Sequence, residues 1–527
     1  MLKKLSCACF LTFILTACST TTSNKTAKDN IFTLQVLGIN DFHGQVLPKQ
    51  ERGGMRNLAA HLLAATESTS DHTFILHAGD HVGASPAESA LLQDEPSITF
   101  LNYMADFCQN HQQETCHVIG TAGNHEFDEG TPEMLRLLHG GVHAKGPFLE
   151  PSWAGAKYTN LSANVFDRES GQLILPPYVI KQVNGVEIGI IGLTLDYTPD
   201  LVVPGAVDDL YFADQAKVAR RYVTLLEEQG INAIIIVVHD GTRDKYYSGA
   251  TQTNARIDKN SKFGQFLSQL PTAVDLIVTG HSHRFTNAYF SRKNAPSLLV
   301  TQAFSSGRAY ADITLTIDPA VQDITKASAE VIFANADPDL LLSSAAQATL
   351  QKVDNLISSA VSFAQAYTEQ VIGTYRPKAN EADLGVFIAN SHQYMLNTDM
   401  GIMNKGGVRS TLKTGPVKWG DLFAVQPFNN PLIVREFTGV QLLALIDESQ
   451  HWTSNITRGF DGSILWQGQA LEPTDQYTVA GNAYIMNTER FAVGKLLRVD
   501  ILDIDATSAY IKLVGPVFDY SSLPKSR

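Results

Sequence analysis

Five short strings in this 527-residue chain gather carboxylate, amide and imidazole donors at close spacing. They are Asn40-Asp41-Phe42-His43-Gly44, Gly79-Asp80-His81, Gly123-Asn124-His125-Glu126-Phe127-Asp128, Val238-His239-Asp240-Gly241 and Gly280-His281-Ser282-His283. Oxygen and imidazole donors without thiolate suit zinc, manganese, cobalt or iron. In an extended segment, residues two apart point the same way, so Asp41 and His43 can face one ion. Taken singly, an Asp-x-His is commonly a surface turn, and a histidine after a strand is commonly a satisfied core residue. Five such pieces in one order, each at the end of an apolar run, point to a shared metal centre.

Those runs must hold the donors in place. Residues 32–39, 73–77, 186–193, 231–238, 275–278 and 297–301 read as strands, and 55–65 and 213–229 as helices. The alternation predicts a layered α/β domain. Asp41, Asp80, Asn124, His239 and His281 each follow a strand, and α/β sheets bind ligands at the carboxyl ends of strands. From 337 to 370 the sequence is rich in Ala, Leu, Ser and Gln at helical spacing, which predicts one long helix. A second mixed domain, with its own Gly and Pro punctuation, begins at 371.

Composition bounds the partners. Hydrophobic residues make up 44% and charged residues 18%, enough for a sizeable core in more than one domain. The formal net charge of -13 disfavours a nucleic-acid polymer. A small phosphate ester remains possible, because bound metal ions dominate their local field. Oligomeric state has no signature in the sequence.

Residues 1–18 read as an export segment: Lys3 and Lys4, an apolar run to Ala17, then Leu15-Thr16-Ala17-Cys18, which resembles a bacterial lipoprotein cleavage box. Cys18 is then the lipidated residue and a membrane anchor facing the periplasm or cell surface, the alternative being an ordinary signal cut elsewhere. Residues 19–30 read as a flexible tether. Cys108 and Cys116 are left for the mature fold, and a close pair in an exported protein favours a local disulfide over two free thiols. A disulfide there would pin a surface hairpin within residues 106–117.

The donor strings, and GNHEFD at 123–128 above all, resemble the binuclear calcineurin-like metallophosphoesterases of the 5′-nucleotidase and UDP-sugar hydrolase branch. The C-terminal half agrees: Asn404-Lys405-Gly406-Gly407-Val408-Arg409 is similar to that branch's Asn-x-Gly-Gly-x-Arg motif, and Pro427-Phe428-Asn429-Asn430 to its Pro-Phe-Gly-Asn motif. The resemblance implies a four-layer α/β/β/α metallophosphoesterase domain (31–336). A long helix (337–370), with a hinge near Gly373, joins it to a smaller α/β substrate-binding domain (371–527).

It also implies two divalent ions (zinc, manganese, cobalt or similar). Asp41, His43, Asp80 and His283 would hold one; Asp80, Asn124, His239 and His281 would hold the other. His125 and Asp128 form the implied catalytic pair, His81 and Asp240 are neighbours of ligands, and a two-metal-activated water attacks phosphorus. Asn404, Arg409, Phe428, Asn430 and Tyr484 would bind the nucleotide. One departure stands out: Thr488-Glu489-Arg490 occupies the place of a Gly-Gly-Asp string, and Arg490 could there meet an extra negative charge. The expected reaction is hydrolysis of extracytoplasmic nucleotides or UDP-sugars. The alternatives are a phosphatase or cyclic phosphodiesterase acting on another ester, and a non-catalytic surface binding protein.

Overall fold

The computed structural model describes residues 30–48, 53–68, 72–111, 116–242, 257–293, 295–337, 339–446 and 450–524. The export segment, Cys18 and the tether to residue 29 lie outside the described residues.

Two six-stranded sheets form the N-terminal half. The first runs Asp323–Phe333, Ala309–Asp318, Phe32–Ile39, Thr73–Ala78, Cys116–Thr121, Thr159–Leu161 in spatial order, and the last four strands are parallel. The second runs Phe285–Phe290, Leu298–Ala303, Val274–Thr279, Ala233–Val238, Val186–Leu193, Tyr178–Val183, with a parallel centre and antiparallel edges. Both sheets are buried on both faces, so their central strands are almost continuously apolar.

The period of two decides which core each side chain joins. Leu34 and Val36 enter the layer between the sheets, where they meet Ile188, Ile190, Ile235 and Val237. Leu37 and Ile39 point the other way, towards helices Gly54–Ser68 and Glu95–His111. Ile191, Ile234 and Ile236 face helices Gln215–Glu228 and Lys262–Gln269. The result is four layers, α/β/β/α. The parallel strands all deliver their carboxyl ends to one rim.

The expected long helix is Ser344–Thr368, about 37 Å at 1.5 Å per residue. Ser343 caps it by accepting from the Ala346 N–H. It is no free spacer: Ala346, Leu350, Val353, Leu356 and Ala360 pack into the N-terminal core, and Arg56 reaches Asp354 at 2.8 Å. Gly373 lies inside the strand Val371–Tyr375, where a Cβ would meet Ile511 Cγ2 at 2.7 Å. Close packing is what requires glycine at this position.

The C-terminal half is built on a five-stranded sheet, His451–Thr453, Met400–Asn404, Gln476–Asn482, Pro431–Thr438, Lys495–Leu502, and a three-stranded sheet around Val371–Tyr375. Ala87 of the N-terminal half packs into its core, so the halves meet beside the 79–91 loop.

Cys108 and Cys116 are joined, with S–S 2.03 Å. The bond does not pin a surface hairpin. Cys108 belongs to helix Glu95–His111, Cys116 opens strand Cys116–Thr121, and both sulfur-bearing residues are buried.

Candidate metal centre and active site

Five of the seven expected metal-binding residues sit on left-handed backbone: Asp41 (φ 48°), His43 (49°), Asp80 (49°), His281 (68°) and His283 (52°). Side-chain-bearing residues rarely adopt this region, and such strain concentrates at functional sites. Each occurs just past a strand end, where the chain turns sharply over the rim. Tight passage explains the flanking glycines. A Cβ on Gly79 (φ 77°) would meet the Gly123 nitrogen at 2.5 Å, and one on Gly123 would collide with the Asp80 carboxylate.

The donors converge in two groups that share Asp80. Asp41, His43, Asp80 and His283 each offer an atom within 4.8 Å of the others, and so do Asp80, His239 and His281. His43 Nε2 lies 2.9 Å from His283 Nε2 and 3.8 Å from Asp80 Oδ2, and His283 Nε2 lies 3.4 Å from Asp41 Oδ1. In the second group His239 Nε2 lies 3.1 Å from both Asp80 Oδ2 and Asn124 Oδ1, and His281 Nδ1 lies 3.1 Å from the same Asn124 oxygen.

The ring tautomers follow from the outer partners. His43 Nδ1 is 2.8 Å from the Gly83 carbonyl and His239 Nδ1 is 2.7 Å from the Ala78 carbonyl. A carbonyl only accepts, so each Nδ1 carries hydrogen and each Nε2 lone pair faces the cluster. Two imidazole lone pairs, two carboxylates and an amide oxygen turned inwards in a buried nest suit divalent cations.

Electrostatics agree with that donor set. Burial drives His43 down to about 3, with His283 adding to the effect, and burial drives His281 down to about 4. Burial opposes the His239 imidazolium too, but the Asp80 carboxylate outweighs it and holds His239 up to about 10. A proton on His239 Nε2 and a divalent ion serve Asp80 in the same way, so either can balance this carboxylate.

His125 stands outside both groups. Its backbone N–H donates to Asp80 Oδ1 at 2.9 Å, and its Nδ1 lies 2.7 Å from Asp128 Oδ2. Burial disfavours its charged form, yet Asp128 and Asp80 together lift it to about 9, with Arg409 pulling the other way. Asp128 is not the N-cap of the following helix, Thr131–His139, which has Gly130 in that place.

Two residues quoted within the motifs but given no role organise the site. Glu126 accepts from the backbone N–H groups of Asp80 (2.9 Å), His81 (2.7 Å) and Gly123 (2.5 Å), so one carboxylate joins the two loops that carry Asp80 and Asn124. Asn40 donates to Asp41 Oδ2 at 2.5 Å and accepts from Ala303 N–H at 2.8 Å. By contrast, His81 is tied to the Ser97 carbonyl and stacked on Phe42, and Asp240 accepts from its own neighbour Gly241.

The C-terminal half closes over this rim. Phe428 stacks on His125, and the Arg409 guanidinium lies 5.8 Å from the Phe428 centroid. A cleft of about 520 Å³ between the halves is lined by His43, His283, Ser305, Lys405 and Arg409, among others. Tyr484 is half-buried; burial raises its phenol, and the Asp128 and Asp200 carboxylates add to the effect, so it too stands near the catalytic pair.

Three C-terminal residues have partners within their own half. Asn430 is buried, its carbonyl accepts from Asp503 N–H at 2.9 Å, and exposed Asn429 (φ 49°) lines the recess beside His125 instead. The Asn404 side chain accepts from Asn482 Nδ2 at 3.0 Å, which braces the turn 404–409. Arg490 donates to the Ala444 carbonyl at 2.8 Å, so it is engaged within its own domain.

Two protein families match the sequence: calcineurin-like phosphoesterase over residues 34–285, and 5′-nucleotidase, C-terminal domain, over residues 362–462. The chain is 28% identical to an endonuclease of Bacillus subtilis over 93% of this chain and 40% of that protein. It is 30% identical to a cell wall protein of Listeria monocytogenes over 85% of this chain and 59% of that protein. It therefore spans about half the length of these curated relatives. A 5′-nucleotidase precursor from Thermus thermophilus has the same fold, with TM-score 0.69 at 20% identity over 92% of this chain and 97% of that one.

Proposed function

Because this chain belongs to the calcineurin-like phosphoesterases that carry a 5′-nucleotidase C-terminal domain, we propose that it is a metal-dependent hydrolase of nucleotides. In this reading it converts a 5′-nucleotide to a nucleoside and phosphate outside the cytoplasm. The observation that carries the reading is the seating of Phe428 and Arg409 against His125. An aromatic face for a base, a guanidinium fork for phosphate oxygens and the metal-donor nest then lie within one small ligand's reach.

Asp41, His43, Asp80 and His283 would hold one ion, and Asp80, Asn124, His239 and His281 the other. Two such ions would supply Lewis-acid charge to the phosphoryl group and let water ionise near neutral pH. The remaining work falls to the protein. Glu126 and Asn40 hold the donor loops in register. Asp128 fixes the His125 Nδ1–H, which leaves Nε2 to deliver a proton to the leaving 5′-oxygen as the P–O bond breaks. Arg409 holds phosphoryl oxygens, and Phe428 and Tyr484 hold the base. A nucleic-acid polymer fits poorly, given the net charge of -13 and a cleft of about 520 Å³.

We assign the protein to the extracytoplasmic side, held by lipid on Cys18. The lipoprotein-like box and the cell-wall designation of the Listeria relative support this. Among the described residues no helix is long and apolar enough to cross a membrane.

The test is phosphate release by protein lacking residues 1–18, supplied with manganese, zinc or cobalt. AMP and glycerol phosphate are compared by phosphate release, and UDP-glucose and 2′,3′-cyclic AMP by chromatography of the phosphate esters they yield, with Asp80→Ala and His125→Ala as controls. Release from AMP that both controls abolish is expected. Release from glycerol phosphate alone would overturn the nucleotide assignment.

A further inference from the structure

The turn Gly280-His281-Ser282-His283 carries one imidazole for each donor group. His281 joins Asp80 and His239, and His283 joins Asp41, His43 and Asp80. Both histidines sit on left-handed backbone, which persists only where the surrounding structure enforces it. Backbone groups do part of that work. The His281 N–H donates to Asp41 Oδ1 at 2.9 Å, and the Gly280 N–H donates to the Asp240 carbonyl at 3.1 Å. Ser282 stands between the two imidazoles in the chain, and its hydroxyl is held by one side chain. Gln302 Nε2 donates to Ser282 Oγ at 2.8 Å, and Gln302 Oε1 lies 3.1 Å from the same oxygen. Gln302 belongs to Leu298–Ala303, an inner strand of the second sheet, and is 1% exposed. Its amide is confined on other sides too. Thr279 Oγ1 lies 3.3 Å from Oε1, and a Cβ on Gly241, two residues after His239, would collide with that oxygen. One buried amide therefore touches both the turn that carries His281 and His283 and the loop that follows His239.

We propose that Gln302 is a positioning residue which, through Ser282, sets the spacing of His281 and His283 and so the separation of the two ions. Ligand groups must be held within about 0.5 Å of their working geometry, and a side chain fixed on an inner strand supplies such a reference point. The turn alone does not, because its histidines occupy a strained backbone region. The inference rests on the two-metal reading of this site, and it gives a role to two residues that reading leaves unused.

The experiment titrates manganese into the full chain and follows free and exchange-coupled manganese by electron paramagnetic resonance, beside thermal unfolding without metal. Ser282→Ala and Gln302→Leu should each weaken manganese binding about 10- to 100-fold, the usual cost of losing a group that orients ligands. Each should also change the exchange coupling, which follows the separation of the ions. Because the two residues act as one unit, the double variant should bind no more weakly than the weaker single variant. Ser282→Thr, which keeps the hydroxyl, should stay close to wild type. Unchanged affinity and coupling in both single variants, whatever their unfolding temperatures, overturns the inference, and so do losses that add in the double variant. The nucleotidase reading survives either result if phosphate release from AMP persists. A wild type that takes up fewer than two manganese ions overturns the two-metal reading and this inference with it.

Discussion

Phe428, from the C-terminal half, lies nearly parallel to the imidazole of His125, with ring centroids 6.2 Å apart and planes 14° apart. The contact joins the residue that sequence motifs assign to base recognition directly to the one they assign to proton transfer. On the proposed roles, substrate selection and chemistry meet at one ring pair, and a change on either side reaches the other.

Removing the Phe428 ring should therefore separate nucleotides from simple esters. Phe428→Ala is expected to raise KM for AMP about 10- to 100-fold, since base stacking on an aromatic is worth about 1–3 kcal/mol. Activity on glycerol phosphate should change by only a few fold. Steady-state kinetics on the two substrates checks this; equal losses on both would show that Phe428 acts on His125 and not on the base.

His125 belongs to neither donor group, so its loss should leave the metals in place. His125→Ala is expected to lower kcat by about 100- to 10,000-fold, the usual share of a positioned acid. Metal content by atomic emission should match wild type. Asp128→Asn should give a smaller loss of the same kind, because it weakens only the hold on Nδ1. A variant that loses metal with activity would move His125 into the ligand set.

Glu126→Ala leaves three backbone N–H groups without their acceptor. The expected cost is about 3 kcal/mol of stability. Because those groups set the loops carrying Asp80 and Asn124, metal affinity should also fall about 10- to 100-fold. Glu126→Gln, which keeps one acceptor oxygen, should lie between. Thermal unfolding read beside a manganese titration separates the two effects, and unchanged metal affinity would reduce Glu126 to a purely structural role.

Acid stability offers a test remote from the metals. His392 is fully buried, donates from Nδ1 to the Ile402 carbonyl (3.2 Å), and is driven down to about 4 by burial. Its folded pKa lies below the unfolded value of about 6.5. The unfolded chain therefore binds the extra proton between those values, and stability falls as pH drops from about 6.5 towards 4. Between pH 7 and pH 5 the loss from this group is about 2 kcal/mol. His392→Asn should be less stable at pH 7 but lose about 2 kcal/mol less than wild type over that interval in denaturant titrations.

Much of the catalytic rim was legible because its signals are local. Asp41, Asp80, Asn124, His239 and His281 each follow an apolar strand by one or a few residues, and parallel strands bring their carboxyl ends to one edge whatever the details of packing. The observed strands Phe32–Ile39 and Val186–Leu193 coincide with their sequence limits for the same reason: burial on both faces leaves a mostly apolar run, interrupted by Thr33 and Gln35 in one and Glu187 in the other. Glu126 and Asn40 were visible as letters but not as roles, since their partners are backbone groups, which leave no trace in side-chain type.

The C-terminal residues show where local reading ends. Asn430 rather than Asn429 matched the motif, yet a left-handed turn at Asn429 exposes that residue and buries its neighbour. Arg490 donates to the carbonyl of Ala444, a partner 46 residues away that leaves no mark in the local string. The sequence alone determined the donor types, the strand periods that align them and the two-domain plan, because each depends on residues close together in the chain. Only the tertiary structure decided that Phe428 covers His125, that Glu126 ties two loops and that Lys405 lines the cleft beside Trp452. Those contacts join segments distant in sequence, and their geometry is set by the packing of whole layers.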